Sequence, residues 1–414
     1  MKSDLPRLMK ERNMDALVVF GVDGLGPANT AFTYFTGDAH VSSGFVMIKR
    51  NGDTITQHLV HRSMEREEAA KTDMALVNYE GYRFPEIVAA MGGDRRKAQV
   101  EHMRRMFADL DIGGRVGFFG ADNVGKSFTL LNDLIRAEVC EVVVEHENDV
   151  IAAARQTKDA REAALIRQSV SLTETVIGNT RDFLRAHPVT NGTLMKSDGT
   201  PLTIGDAKAF IRRSALDLGL RYSDCIFSTG RDSAIGHSVG TPSDVIQQGK
   251  TIVFDIYPPG PGGYYADITR TWCLGYAPDH VQTAYETVMK VHAAAEGAFA
   301  VGLLTHDVHA LACDIFEAAG HSTNRANYGS DSGYYHGLGH GFGLDVHEAP
   351  YMALRGTRPD EYFQKGVIIC NEPGLYYPDD PRGGWGVRVE DDYWCNPNGV
   401  FERLSEFDRA LVIA

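Results

Sequence analysis

The chain has 414 residues, 43% of them hydrophobic, and carries 55 acidic against 41 basic side chains, a formal charge of -14. That length and apolar content allow substantial buried cores in two or three domains and exclude a disordered chain. The acidic balance argues against a nucleic-acid surface, which needs clustered Lys and Arg, and no run approaches the ~18 apolar residues of a membrane span. The first residues, Met1-Lys-Ser-Asp-Leu-Pro-Arg-Leu-Met-Lys, lack the apolar core and cleavage site of a secretory signal, so a soluble cytoplasmic protein is expected. Six cysteines (140, 225, 273, 313, 370 and 395) stand far apart without a CxxC pair, which predicts reduced, semi-buried thiols rather than disulfides or a thiolate zinc site.

Leu5 and Leu8/Met9 fall at helical spacing, and Ala16-Leu-Val-Val-Phe reads as a buried strand. The Gly-rich residues 21–29 read as loop. Phe45-Val-Met-Ile-Lys and Thr54-Ile-Thr-Gln-His flank Asn51-Gly52, a pair that predicts a type I′ hairpin turn. Helix and strand signals then alternate to Glu141-Val-Val-Val-Glu, giving a mixed α/β domain over residues 1–150. Within it, Gly120-Ala-Asp-Asn-Val-Gly-Lys-Ser matches the phosphate-binding P-loop pattern between a strand-like and a helix-like run. A nucleotide-binding sheet needs several further strands, one ending in a magnesium-binding Asp, and only about 25 residues remain, so the match is read as coincidental.

Apolar residues at Leu165/Ile166, Val170, Val176/Ile177 and Phe183/Leu184 predict an amphipathic helix over 158–186 that opens a second domain, residues 155–414. A second helix follows Thr203, an N-cap residue, and ends before Gly219. Two acid-bearing hairpins come next in this reading. Thr251-Ile-Val-Phe-Asp-Ile and Tyr264-Tyr-Ala-Asp-Ile-Thr-Arg-Thr carry Asp255 and Asp267; Val367-Ile-Ile-Cys-Asn-Glu-Pro-Gly and Gly386-Val-Arg-Val-Glu-Asp-Asp carry Glu372 and Glu390. Helices over 279–298 and 305–319 separate them. His306/His309, His58/His61 and His146 have no convergent second donor in the sequence and are read as solvated or core imidazoles.

Between the hairpins lies Tyr335-His-Gly-Leu-Gly-His-Gly-Phe-Gly-Leu-Asp-Val-His-Glu-Ala-Pro, with His336, His340 and His347 among four glycines. Glycine weakens helices and strands by ~0.5–1 kcal/mol, so this density points to tight turns or close backbone approach. Acids inside Val/Ile/Phe strands are costly unless paired or holding a cation. Asp255, Asp267, His340, Glu372 and Glu390 form an oxygen-rich donor set suited to hard or intermediate divalent ions. Two such cations ~3.5–4 Å apart would balance four negative charges and acidify a bridging water into a hydroxide nucleophile.

Order and spacing of these segments resemble the pita-bread metallopeptidases, and among them the Xaa-Pro peptidases of the aminopeptidase P and prolidase type. The likeness rests on Asp-Ile-Thr-Arg-Thr, His-Gly-Leu-Gly-His, Asn-Glu-Pro-Gly and Gly-Val-Arg-Val-Glu and covers residues 155–414 strongly. It implies an α/β (α+β) chain with a creatinase-like N-terminal domain and a pita-bread catalytic domain. It further implies that Asp267 and Glu390 bridge two divalent ions, manganese first with cobalt or zinc as alternatives. Asp255 and Glu372 then complete separate coordination spheres and His340 binds one ion. By the same carry-over Glu372 also moves a proton, His237 and His347 face the scissile amide, His336 lines the substrate pocket and Arg388 pairs with Asp255. The implied substrates are short proline-containing peptides and the implied assembly is a homodimer. His336 and the large N-terminal domain favour this type over methionine aminopeptidases, and the full ligand set disfavours creatinase. The long Tyr257-Pro-Pro-Gly-Pro-Gly-Gly turn departs from many relatives. A small-molecule lyase or hydrolase on the same frame is the rival enzyme, and a non-catalytic module should have lost ligands that this chain retains.

Overall fold

Ala16-Leu-Val-Val-Phe forms the strand Ala16–Phe20, its first four side chains buried, as expected of an apolar run flanked on both sides in a sheet. The computed structural model describes residues 1–21, 29–120, 123–145 and 148–413; His146, most of the Gly-rich stretch and part of the P-loop-like run lie outside them. The chain divides into two compact units, Met1–Arg155 and Gln156–Ala414.

In the first unit a six-stranded mixed sheet runs Ala75–Asn78, Thr54–His61, Gly44–Asn51, Ala16–Phe20, Arg115–Phe119, Glu141–Val143. Helices Arg95–Asp109 and Val124–Arg136 bury Met103, Met106, Phe107, Leu130 and Leu134 with Val18, Met47 and Val116 of the sheet. The hairpin closes one residue later than the sequence suggests. Asn51 pairs with Thr54, the turn residues are Gly52 and Asp53, and of these only Gly52 has positive φ, 65°. Positive φ at the first turn position alone is the type II′ pattern, which Gly adopts without steric cost, so Asn51 stays in the ladder. The P-loop-like run joins Arg115–Phe119 to Val124–Arg136, but among the described residues of this unit only the edge strand Glu141–Val143 follows it.

The second unit begins with the helix Ala160–Arg185, capped by Asp159 and Glu162 in a reciprocal capping box; Thr203 and Asp206 cap Ile204–Asp217 in the same way. Each such box satisfies two otherwise orphaned N–H groups. One sheet orders Val412–Ile413, Ile268–Leu274, Thr251–Ile256, Ile226–Thr229; a second orders Glu348–Met352, Gly339–Gly341, Ile368–Asn371, Asp391–Cys395, Phe401–Arg403. A two-stranded ribbon, Gly374–Tyr377 with Trp385–Arg388, extends the second hairpin. Glu390 N–H donates to Thr269 O at 3.1 Å and Arg388 N–H to Thr271 Oγ1 at 2.9 Å, which ties the two acid-bearing hairpins together. Helices Asp279–Ala298 and Thr305–Ala318 supply Val288, Val291, Ala312 and Phe316 to the core beneath them.

Lys158 and Glu348 form a buried ion pair, Nζ to Oε2 at 2.9 Å, while Glu348 Oε1 accepts from the backbone N–H groups of Leu344 at 2.9 Å and Asp345 at 3.1 Å. That carboxylate fixes the loop in which His347 lies. Removing one partner of a buried pair strands the other charge, so Lys158→Ala is expected to destabilise the protein by ~3–5 kcal/mol. Urea unfolding checks this, and the double replacement Lys158→Met with Glu348→Gln, which keeps an acceptor for both N–H groups, should recover most of the lost midpoint.

Candidate metal centre

Asp255 lies in Thr251–Ile256 directly opposite Thr269, and Asp267 is two residues before Thr269. Directly paired residues and residues two apart share a sheet face, so both carboxylates project to one side. In the second hairpin the pairing Asn371↔Asp391 stops and Gly374↔Arg388 begins, leaving Glu372 and Glu390 at the break. The same two-residue alternation puts Cys370 on the side of Glu372, with Asp392, its cross-strand partner, on the side of Glu390. His340 enters from Gly339–Gly341, the strand paired with Ile368–Asn371. Here the glycines have a concrete cause: a Cβ at Gly339 would overlap the carbonyl oxygen of Cys370, and one at Gly341 that of Ala349.

His340 Nε2 stands 3.8 Å from Asp267 Oδ2 and 3.7 Å from Glu372 Oε1. Its Nδ1 lies 3.1 Å from Gly341 O, an acceptor that selects the Nδ1–H tautomer and leaves the Nε2 lone pair facing the carboxylates. Burial, with His347 nearby, pushes its pKa down to about 3, so the ring is neutral. The acids move the other way. Burial and the charge of Glu390 hold Asp267 and Glu372 well above the usual carboxylate range, and burial with Asp255 pushes Glu390 up to about 7. Asp255 Oδ2 accepts from Arg388 Nη2, while its buried Oδ1 has no hydrogen-bond partner. Arg388 also donates from Nε to Thr269 Oγ1 at 3.2 Å and from Nη1 to Tyr376 Oη at 2.9 Å, and the Thr269 hydroxyl donates to Glu390 Oε2 at 2.8 Å.

Four carboxylates thus share one guanidinium in a buried space, with an orphaned carboxylate oxygen and an unprotonated imidazole nitrogen turned toward them. Isolated buried charge of this kind is strongly unfavourable, and hard-to-intermediate divalent cations fit the donor chemistry. Asp267, His340, Glu390 and also Cys370 each place a donor atom so that all four lie within 4.8 Å of one another.

The other sequence-derived candidates surround this cluster. His336 Nε2 lies 2.9 Å from Tyr376 Oη, its Nδ1 2.6 Å from Gly337 O and 4.0 Å from Glu372, and burial with Arg388 lowers its pKa to about 3. The His347 ring packs edge-on against His340, centroids 4.3 Å apart, and His237 is exposed but close enough to lower the pKa of both His336 and His347. His306 and His309 are buried core residues, the first bonded to Ala353 O at 2.8 Å and the second to Asn324 and Tyr334. Sequence reasoning missed Thr269, Tyr376, Asp392 and Cys370. Cys370 was legible in principle, since it precedes Glu372 by two on a strand. The cysteines are free, as expected, but all except Cys140 are fully rather than half buried.

A buried carboxylate and imidazole cluster of this composition defines a cation-dependent hydrolytic centre. The chain belongs to metallopeptidase family M24, whose sequence pattern matches residues 164–397. It is 25% identical over 425 residues, covering the whole of both chains, to a Xaa-Pro dipeptidase of Pyrococcus furiosus. In fold it is similar to the Xaa-Pro dipeptidase of Bacillus anthracis (TM-score 0.76, 20% identity, 100% of this chain and 99% of that one) and to the X-Pro aminopeptidase of Thermotoga maritima (TM-score 0.74, 21% identity, 98% and 100%). The catalytic unit therefore has the pita-bread fold, and no helix among the described residues is long and apolar enough to cross a membrane.

The raised carboxylate pKa values have a consequence for stability. A group whose folded pKa exceeds its unfolded value near ~4 stabilises fully below that unfolded value, and the contribution is lost as pH rises through the folded one. Chelator-treated protein should therefore show a melting temperature that falls as pH increases through about 7, the position of Glu390. Excess divalent cation should abolish that fall, a comparison that thermal melts across the pH range make directly.

Proposed function

We propose that this protein is a dinuclear-metal Xaa-Pro peptidase that removes an N-terminal residue preceding proline. The observation that carries the reading is the convergence of Asp255, Asp267, His340, Glu372 and Glu390, drawn from three segments, around one buried space. Asp255, Asp267 and Glu390 would hold one divalent cation and Asp267, His340, Glu372 and Glu390 the other, with manganese favoured by the oxygen-rich set. When bound, such a pair supplies an acidified water and a polarised carbonyl.

The remaining chemistry belongs to side chains. A peptide bond to proline is a tertiary amide with no N–H, so the site must recognise it by its carbonyl and ring, and the departing nitrogen needs a proton. Glu372 would take a proton from the attacking water and release it to the leaving nitrogen. His347 and His237 are the donors for the developing oxyanion, where stabilising the new charge usually lowers the barrier more than any other single effect. Tyr376 hydrogen-bonds both His336 and Arg388, so it positions one imidazole at the pocket wall and the guanidinium on Asp255. Short proline-containing peptides are the substrates, a homodimer the assembly, the cytoplasm the location, and residues 1–150 a creatinase-like domain.

After manganese reconstitution, Ala-Pro or Ala-Pro-Pro should be cleaved much faster than Ala-Ala or Ala-Ala-Ala. Equal or faster turnover of the alanine peptides removes the Xaa-Pro specificity, and no turnover by fully metallated protein moves the assignment to a small-molecule substrate. His347→Ala should lower kcat by roughly 10²–10³, the usual effect of losing one oxyanion donor. Elemental analysis should find its metal content unchanged.

A further inference from the structure

Residues of the first unit, Met1–Arg155, enclose a cavity of about 710 Å³, inside the ~300–1,000 Å³ range of small-molecule sites. Its described walls include the ends of Ala16–Phe20 and Gly44–Asn51 and the first turns of the helices Arg95–Asp109 and Val124–Arg136. Aromatic rings and cations share this lining. Phe20 and Phe45 meet edge to face with centroids 5.5 Å apart, the Arg62 guanidinium lies 3.8 Å over the Tyr79 ring, and that of Arg95 lies 5.7 Å over Phe84. Asp133 is the one acid among the described lining residues, and Arg96 engages both its oxygens, Nη2 to Oδ1 at 2.6 Å and Nε to Oδ2. Arg62 has Glu80 at 3.5 Å, whereas Arg95 and Lys126 have no ion-pair partner among the described residues. The walls are therefore positive in a chain of formal charge -14, and such a concavity concentrates anions.

We propose that this cavity binds a small aromatic anion, a flat ring bearing a phosphate or carboxylate head, at a site separate from the metal centre and independent of the peptidase reading. A guanidinium stacked on a ring keeps its N–H edge free, and that planar fork matches carboxylate and phosphate oxygens. Arg62 is held in this way by Tyr79, and Lys126 adds a mobile point charge. The rings of Phe45 and Phe84 offer faces and edges to a flat ligand. The P-loop-like run enters here in a different role: it lacks the further strands of a nucleotide hydrolase, yet Gly125-Lys126-Ser127 from it line the cavity. Gly125 is a poor helix residue at the second position of Val124–Arg136, and a Cβ there would meet only Asn123 Oδ1, at 3.4 Å. Packing does not require glycine at that point. Its missing side chain leaves the helix start, which favours negative charge, open to a ligand in the cavity.

Isothermal titration calorimetry on the full-length protein tests this with phenyl phosphate and phenylacetate, and with phenol and inorganic phosphate as the ring and the head alone. Each titration is run with and without chelator, so that anion capture by a bound cation is read separately. At least one aromatic anion should bind at one site per chain, ~10-fold or more tightly than phenol or inorganic phosphate, and the tighter of the two identifies the head group. Lys126→Gln, a replacement at an exposed position, and Arg62→Gln should each weaken that binding by roughly 10-fold or more, the usual loss for one charge-assisted hydrogen bond. Binding that both folded variants leave unchanged, or that disappears with chelator, overturns the proposal. So does inorganic phosphate held as tightly as phenyl phosphate, or the absence of saturable binding by both aromatic anions.

Discussion

Mutual repulsion among Asp255, Asp267, Glu372 and Glu390 is the constraint on which the rest of the catalytic unit depends. Each is buried or nearly so, and burial, reinforced by the neighbouring carboxylates, raises the proton affinity of Asp267, Glu372 and Glu390. A protein interior tolerates such a cluster only if surrounding groups hold every member in place and something of opposite sign shares the space. Arg388 supplies one charge and spreads it through Thr269 to Glu390 and through Tyr376 to His336. One side chain thus reaches both acid-bearing hairpins and, through Tyr376, His336, so its guanidinium orients more of the cluster than its direct partner Asp255 suggests.

A second polar network stabilises the same hairpin from behind. Asp391, next to Glu390, is fully buried between Arg270 at 2.8 Å, Arg409 at 2.6 Å and His292 at 3.2 Å. These partners outweigh its burial and hold its carboxyl well below the ordinary range. Arg270 also donates to the Glu390 carbonyl at 2.7 Å, which fixes the backbone that carries this carboxylate. Adjacent residues on one strand therefore have opposite fates: Asp391 faces cations of the protein, while Glu390 faces like charges. The alternation of side chains on a strand is what separates them.

How much of this could be read from the sequence follows from which interactions are local. The helix starts at Asp159 and Thr203 are reciprocal caps within four residues; Thr203 was legible as a cap, whereas the first helix was legible from its apolar spacing alone. The acids announced themselves because a carboxylate in a Val/Ile run contradicts its surroundings. The hairpin turn at Gly52-Asp53 was placed one residue early, since both Asn-Gly and Gly-Asp satisfy turn chemistry and cross-strand pairing decides between them. Tyr376 and Cys370 were missed for a different reason. Each reads as an ordinary core residue along the chain and acquires a polar role only from a partner on another strand. The P-loop-like run shows the converse, a local pattern with its strand and helix in place but followed, among the described residues of its unit, by a single edge strand.

The proposed donor residues come from Thr251–Ile256, the residue just before Ile268–Leu274, Gly339–Gly341 and the two arms of the second hairpin, so no local segment would hold a cation by itself. An unfolded chain cannot assemble that set, and cation binding must then add to the stability of the native state in proportion to how far free metal exceeds its dissociation constant. The same logic explains why the glycines crowd around His340 rather than around the acids. Asp255 sits in a strand registered by a six-pair ladder, and Glu372 and Glu390 are held between two four-pair ladders, whereas Gly339–Gly341 is three residues long and gains its position by pressing its backbone against Cys370 and Ala349. Close approach replaces ladder length as the means of fixing the imidazole, and any side chain at Gly339 or Gly341 would move His340 away from the donors it is meant to join.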